Sequence, residues 1–76
     1  MIYFLIRDAS GIIGIHKIRD AAISTFKHLA ESGDFVDMLE VSCFSTDALG
    51  RVDNQMRVCY YIKGGSIQIM SGAQFI

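Results

Sequence analysis

The sequence contains no proline, so every reversal of the chain has to come from glycine, aspartate, asparagine or serine. It has only two cysteines, Cys43 and Cys59, whereas a small secreted domain normally carries four or more. The apolar run that opens the chain, Ile2–Ile6, is ended by Arg7 before it is long enough to cross a membrane, and it is not typical of a signal peptide. These absences predict a cytoplasmic protein with two reduced thiols and no membrane contact.

Motifs for metal binding, nucleophilic catalysis and phosphate binding are also missing. Structural zinc sites usually present paired ligands about two to four residues apart, and neither the cysteines nor His16 and His28 have that spacing. The acids around Cys43 disfavour the thiolate that a nucleophile needs. Ser10-Gly11 and Gly64-Gly65-Ser66 are typical of turns and do not form a glycine-rich loop that leads into a helix. The sequence therefore predicts a protein that is not an enzyme and holds no metal or cofactor.

The chain is rich in apolar residues for its length. Its 76 residues are 51% hydrophobic and 20% charged, and the mean hydropathy is +0.36. A chain this short is expected to form a single domain over residues 1–76, which buries only about 60% of its unfolded surface. Apolar residues beyond the needs of such a core indicate a surface that a partner covers. We therefore expect either a homodimer or an apolar patch that is hidden in a complex.

Hydrophobic periodicity predicts an α+β domain with the element order β-β-α-β-β-β. Strands are predicted near residues 2–7, 12–18, 35–44, 56–63 and 66–70, and the first is expected to be central because both of its faces are apolar. Asp8-Ala9-Ser10-Gly11 predicts a turn and Gly64-Gly65 a two-residue hairpin, after which Ile67 and Ile69 should point inward. Phe75-Ile76 is expected to be an edge strand or a tucked end. The result would be an antiparallel sheet of four to five strands with one helix packed on one face.

Residues 20–32 change to a helical period. Apolar residues recur on one side of this segment, at Ala22, Ile23, Phe26, Leu29 and Ala30. Asp20 is the predicted N-cap and Gly33 the predicted C-cap of the helix. We expect Phe26 and Leu29 to pack on the sheet.

Charge is sorted by segment along the chain. Residues 31–53 carry about −5, whereas residues 1–30 and 54–76 each carry about +2, which gives the net charge of −1. Such an asymmetry steers and selects partners. We predict that carboxylates of the acidic segment contact a protein partner with a basic surface, in the place of phosphates, through Asp34, Asp37, Glu40, Asp47 and Asp53. The alternative is that these charges lie on loops and strand edges and serve only to keep the protein soluble.

A second surface predicts a different function. Alternation along the fourth strand is expected to place Arg57, Tyr61 and Lys63 on one face, where bases and an aromatic ring suit single-stranded nucleic acid. The mildly acidic balance of the chain and the lack of the aromatic RNA-binding strand motif argue against this function. A small nucleic-acid-binding module is therefore the alternative prediction.

In size and layout the chain resembles small phage-encoded inhibitors of the anti-CRISPR type. The features that carry the resemblance are the strand Ile2-Tyr3-Phe4-Leu5-Ile6, the helix from Asp20 to Ser32 and the hairpin at Gly64-Gly65. It implies a compact viral inhibitor that blocks a nucleoprotein complex such as a CRISPR effector, and it assigns no binding residues. We therefore expect a small non-enzymatic protein-binding inhibitor or adaptor that acts through its acidic surface.

Overall fold

The structure is a computed structural model that describes residues 1–70. It contains one helix and five strands, and their order is the predicted β-β-α-β-β-β. The elements are β1 (Ile2–Asp8), β2 (Gly11–His16), α1 (Arg19–Ser32), β3 (Met38–Thr46), β4 (Val52–Ile62) and β5 (Gln68–Ile69). The expected edge strand or tucked end at Phe75-Ile76 lies outside the described residues.

The five strands form one antiparallel sheet in the order β2-β1-β3-β4-β5. β1 lies between β2 and β3, which confirms its predicted interior position. Because β2 and β3 flank β1, the chain has to cross one face of the sheet between them, and it does so as α1. Within residues 1–70 the helix therefore covers one face, and the opposite face, which we call the open face, has no layer above it.

The core lies between α1 and the sheet. Ala22 and Phe26 of the helix have no exposed surface and belong to one cluster with the buried sheet residues Phe4, Ile6, Leu39, Val41, Cys43, Val58 and Cys59. Leu29 packs at the margin of this cluster. The prediction that Phe26 and Leu29 face the sheet is therefore confirmed.

The sequence predicts the C-terminal cap of α1 correctly but not the N-terminal cap. Gly33 caps the C-terminus in the left-handed conformation, with φ of 72°, and its N–H donates to the carbonyl of Leu29, as predicted. The N-cap is Ile18, which makes no side-chain capping bond, so the prediction of Asp20 as N-cap is wrong. Asp20 lies in the first helical turn, where its charge still favours the N-terminal end of the helix dipole.

Several details of the strands differ from the predictions. β3 begins at Met38, three residues later than predicted, and β4 begins at Val52, four residues earlier than predicted. β2 ends at His16, two residues earlier than predicted. Gly64-Gly65 belongs to a longer connection over residues 63–67, in which the Gly65 N–H donates to the Ile62 carbonyl. β5 is a two-residue strand at the edge of the sheet, and Ile67 and Ile69, which are predicted to point inward, are 38% and 63% exposed there.

Asp8 joins the turn between β1 and β2 to the connection between α1 and β3. Its carboxylate accepts hydrogen bonds from the hydroxyl and N–H of Ser10 and from the N–H of Val36, the last at 3.0 Å. These bonds, above all the one from the Ser10 hydroxyl, hold the pKa of Asp8 below its ordinary value of 3.8. The ionised carboxylate thus stabilises the fold at the point where the chain enters β3.

Replacement of Asp8 by asparagine should lower the stability near neutral pH and make it less sensitive to acid. Because the pKa of Asp8 is lower in the folded state than in the unfolded one, its contribution is present above about pH 4 and is lost as the pH falls through the folded value. Urea titrations at several pH values measure this effect, with Asp34→Asn as the matched control at an exposed aspartate. Parallel stability curves for Asp8→Asn and the wild type would contradict the assignment.

Candidate functional site on the open face of the sheet

The acidic segment does not form one surface in the folded chain. Asp34 and Asp37 are exposed in the connection between α1 and β3, whereas Asp47 and Asp53 lie by the turn between β3 and β4. β3 has nine residues, so it separates these two pairs by about 30 Å. Glu40 lies within β3 and is only 5% exposed. The five carboxylates therefore form two separate pairs and one buried group, and not one continuous acidic surface.

The carboxylates at the turn between β3 and β4 already have partners within the chain. Asp47 accepts hydrogen bonds from the backbone N–H groups of Leu49 and Arg51 and from Arg51 Nε, at 2.9–3.0 Å. These bonds, chiefly the one from the Arg51 N–H, lower the pKa of Asp47. Asp53 accepts a hydrogen bond from the Ser45 hydroxyl. Both carboxylates thus stabilise the turn, and Asp34 and Asp37 are the exposed acids of the predicted set that make no such side-chain bond within residues 1–70.

Arg57, Tyr61 and Lys63 do not share a strand face, so that prediction is wrong. In the β3–β4 ladder Val41 pairs with Cys59 and Ser42 pairs with Arg57, which leaves Val58 as an extra residue. An extra residue of this kind is a β-bulge, and it interrupts the alternation of side chains along the strand. Odd-numbered residues before the bulge, such as Arg57, therefore lie on the opposite face of the sheet from odd-numbered residues after it, such as Tyr61.

The contacts on the two sides of the bulge confirm this reversal. Tyr61 lies on the helix side, where its ring meets Phe35 edge to face at a centroid distance of 5.6 Å. Lys63 Nζ lies 5.2 Å from the centroid of the same Phe35 ring. Arg57 lies on the open face, where its Nε donates to Glu40.

A buried carboxylate between two arginines lies at the centre of the open face, and we call these residues the arginine triad: Arg7, Glu40 and Arg57. Arg7 Nε donates to Glu40 Oε2 at 3.0 Å, and Arg57 Nε donates to Glu40 Oε1 at 3.3 Å. The arginines come from β1 and β4, the strands on either side of β3. Their side chains are about half exposed, and with one carboxylate between two guanidinium groups the triad carries +1.

The terminal nitrogens of both arginines in the triad are available as hydrogen-bond donors. Both arginines use Nε to hold Glu40, and within residues 1–70 neither makes a hydrogen bond through its terminal nitrogens. A guanidinium group carries five N–H donors in a rigid fork that suits a carboxylate or a phosphate. Arg57 is further held by the ring of Tyr60, whose centroid lies 4.5 Å from its guanidinium carbon. Groups already held in place lose little freedom when a ligand binds.

The part of the open face next to the triad is apolar and concave. A depression of about 280 Å³ is lined by Leu5, Ile12, Ile15, Phe44, Val52 and Gln55. Ile12, Ile15 and Val52 are each more than half exposed. Tyr3 stacks on Phe44 at a centroid distance of 5.4 Å and extends the apolar surface. The open face thus combines an apolar depression with two oriented guanidinium groups.

Sequence reasoning missed this surface because its members come from four strands. Ile2–Ile6 is apolar on both faces, which is the one local signal that β1 carries apolar side chains away from the helix as well as toward it. Glu40 and its two arginines are far apart in the sequence and meet only through the strand order.

The two cysteines lie in the core, and neither is in a disulfide. Burial raises the pKa of both thiols, and for Cys59 the charges of Arg19 and Lys27 offset part of that rise. Among residues 1–70 no three His, Cys, Asp or Glu side chains lie close enough to hold a metal ion. In the same part of the chain no helix has the length and apolar character needed to cross a membrane.

Comparison of the chain with protein-family models, with curated proteins and with solved structures found no match. The resemblance to phage-encoded inhibitors of the anti-CRISPR type therefore stays a prediction.

Proposed function

We propose that this protein is a small non-enzymatic protein-binding domain of the inhibitor or adaptor type, which contacts its partner through the open face of the sheet. The observation that carries the proposal is the apolar depression beside the arginine triad on a face that α1 leaves uncovered. Exposed apolar patches on small domains mark interaction sites, and aromatic residues and arginine are enriched in protein interfaces. A role in blocking a nucleoprotein complex rests on the resemblance alone.

The chemistry of the open face defines the partner surface that would fit it. The depression accepts an apolar side chain, and the triad, with its charge of +1 and its terminal N–H groups, accepts a carboxylate close to that side chain. This partner differs from the basic surface that the acidic segment predicts. A basic partner would have to use Asp34 and Asp37, which lie together at the connection between α1 and β3.

Single-stranded nucleic acid is a second candidate ligand for the same face. Tyr3, Phe44 and Tyr60 are partly exposed rings on the same face as Arg7 and Arg57, and Arg57 contacts the Tyr60 ring. Aromatic rings stack on bases, and arginines contact the phosphates between them. These residues replace the predicted set of Arg57, Tyr61 and Lys63. Two features favour a protein partner: Glu40 neutralises one of the two guanidinium charges, and Tyr3 and Phe44 stack on each other.

Affinity capture with matched variants tests the proposal. The immobilised wild type and each variant are incubated with a nuclease-treated extract of the native host, retained proteins are identified by mass spectrometry, and the purified partner is then titrated by calorimetry. Val52→Asp places a charge in the depression, and Arg57→Ala removes one donor fork. Ile69→Asp is the control, because Ile69 is equally exposed but pairs with Cys59, away from the open face.

We expect Val52→Asp and Arg57→Ala each to weaken binding at least about tenfold, as residues at the centre of an interface do. Ile69→Asp and the double variant Asp34→Lys, Asp37→Lys should bind like the wild type. Loss of binding only in the double variant Asp34→Lys, Asp37→Lys would support the acidic surface instead. Failure of the wild type to retain any protein, together with retention of RNA or DNA from an untreated extract, would favour the nucleic-acid function.

A further inference from the structure

β2 has a free edge without the usual protection against pairing. One side of β2 pairs with β1, and the other has no strand beside it within residues 1–70. Natural sheets usually block such an edge with lysine, proline or an inward-pointing charge, since its backbone groups are a template for another strand. Residues 9–15 contain no charged residue and no proline. A bulge at Ile13 is the one protective feature of this strand, and it leaves residues 14–16 in regular pairing with β1.

The side chains of this edge are apolar on both faces of the sheet. Ile12 and Ile15 are 62% and 59% exposed on the open face, where they line the depression. Ile13 is 43% exposed and lies on the helix side, beside Thr25 and Leu29. Exposed isoleucines on both faces of one edge strand are what a strand pairing there would cover.

The opposite edge of the sheet is chemically different. It consists of β5, which has only two residues, and of the part of β4 beyond β5, which exposes Asp53, Asn54, Gln55 and Arg57. The ladder between β3 and β4 also contains two register shifts. Charged side chains and bulges are the devices that prevent a strand from adding to an edge. The β2 edge of one molecule therefore meets a two-residue strand and charged side chains at the opposite edge of the next, so an open-ended chain of sheets is disfavoured.

We infer that the partner of the β2 edge is a second copy of β2, which pairs with it antiparallel across a two-fold axis. Self-pairing of this kind closes after two molecules because both use the same surface. The two Lys17 side chains lie at opposite ends of such a pair, so like charges do not meet. The two open faces join into one continuous face, which brings the depressions of both copies side by side. Dimerisation through β2 does not depend on partner binding near Val52, and the two are tested with different variants.

Sedimentation of the purified full chain tests the dimer. The wild type should change from 8.4 kDa toward twice that mass as its concentration rises through the micromolar range. Ile13→Lys, which places a charge on the helix side of the edge, should weaken dimerisation at least tenfold. Ile69→Lys is the matched control, because Ile69 is also exposed but lies on β5 at the opposite edge of the sheet, and it should dimerise like the wild type. Circular dichroism shows whether each variant is folded.

Single cysteines give a second measurement that does not depend on destabilising the interface. Ile12→Cys, Ile13→Cys and Ile15→Cys are oxidised one at a time, and the position nearest the two-fold axis should form a disulfide-linked dimer. Native Cys43 and Cys59 are buried, and Leu49→Cys at a 76% exposed turn position is the control that should not cross-link. A wild type that stays at 8.4 kDa at every concentration would overturn the inference. So would a dimer that Val52→Lys abolishes and Ile13→Lys leaves intact, since that result means face-to-face stacking.

Discussion

Replacement of Phe26 by alanine should nearly unfold the protein. Phe26 has no exposed surface, and it is the largest fully buried side chain that α1 places against the sheet. Truncation of a buried phenylalanine costs about 3–5 kcal/mol, and the total stability of a small domain is often only about 5 kcal/mol or slightly more. A urea titration followed by circular dichroism should show a midpoint close to zero denaturant or no folded baseline.

Leu49→Ala provides the control for this prediction. Leu49 is a large apolar side chain of comparable hydrophobicity, but it is 76% exposed at the turn between β3 and β4. Its truncation should change the free energy of unfolding by less than about 0.5 kcal/mol. If Phe26→Ala were as mild as Leu49→Ala, α1 would not be packed on the sheet through this residue.

The second large effect is expected from removal of both arginines of the triad. With Arg7 and Arg57 replaced by glutamine, Glu40, which is only 5% exposed in the wild type, loses both of its charged partners. An uncompensated buried charge is strongly destabilising, and because the shorter side chains admit some water we expect a loss of about 3 kcal/mol. Each single replacement should cost about 1 kcal/mol, since one half-exposed arginine still pairs with the carboxylate.

A thermodynamic cycle separates this electrostatic effect from lost packing. The double variant should cost more than the two single variants together, because each arginine compensates for the absence of the other. Adding Glu40→Gln to the double variant should restore more than half of the lost stability, since no charge is then left buried. Urea titrations of these variants give the free energies, and additive losses without rescue would mean that Glu40 is solvated in the folded protein.

The same cycle bears on the proposed function. If Glu40 orients the two guanidinium groups, Glu40→Gln should leave the surface more positive but less ordered, and partner binding through the triad should then weaken in spite of the added net charge. Charge attraction alone would predict the reverse for a carboxylate on the partner. Calorimetry with the captured partner distinguishes orientation from net charge.

Local sequence patterns determined the elements of this protein and their order. The helical stripe that includes Phe26, the glycine at position 33 and the strand pattern near residues 35–44 each predict a feature that the structure contains. Such signals work because they depend on residues one to four positions apart, within a single helix or strand.

The tertiary structure alone decided which charged residues meet and which face each occupies. The bulge at Val58 exists because β4 pairs with β3 in a shifted register, and it places Arg57 on the face opposite Tyr61. The charge of Glu40 is compensated by arginines from both neighbouring strands because β3 lies between β1 and β4. The length of β3 also separates Asp34, which precedes the strand, from Asp47, which follows it. Register and strand order are set by pairing between distant segments, and no local period in the sequence encodes them. The net charge of the acidic segment is therefore a property of the sequence, but the surface that the protein presents is a property of the folded sheet.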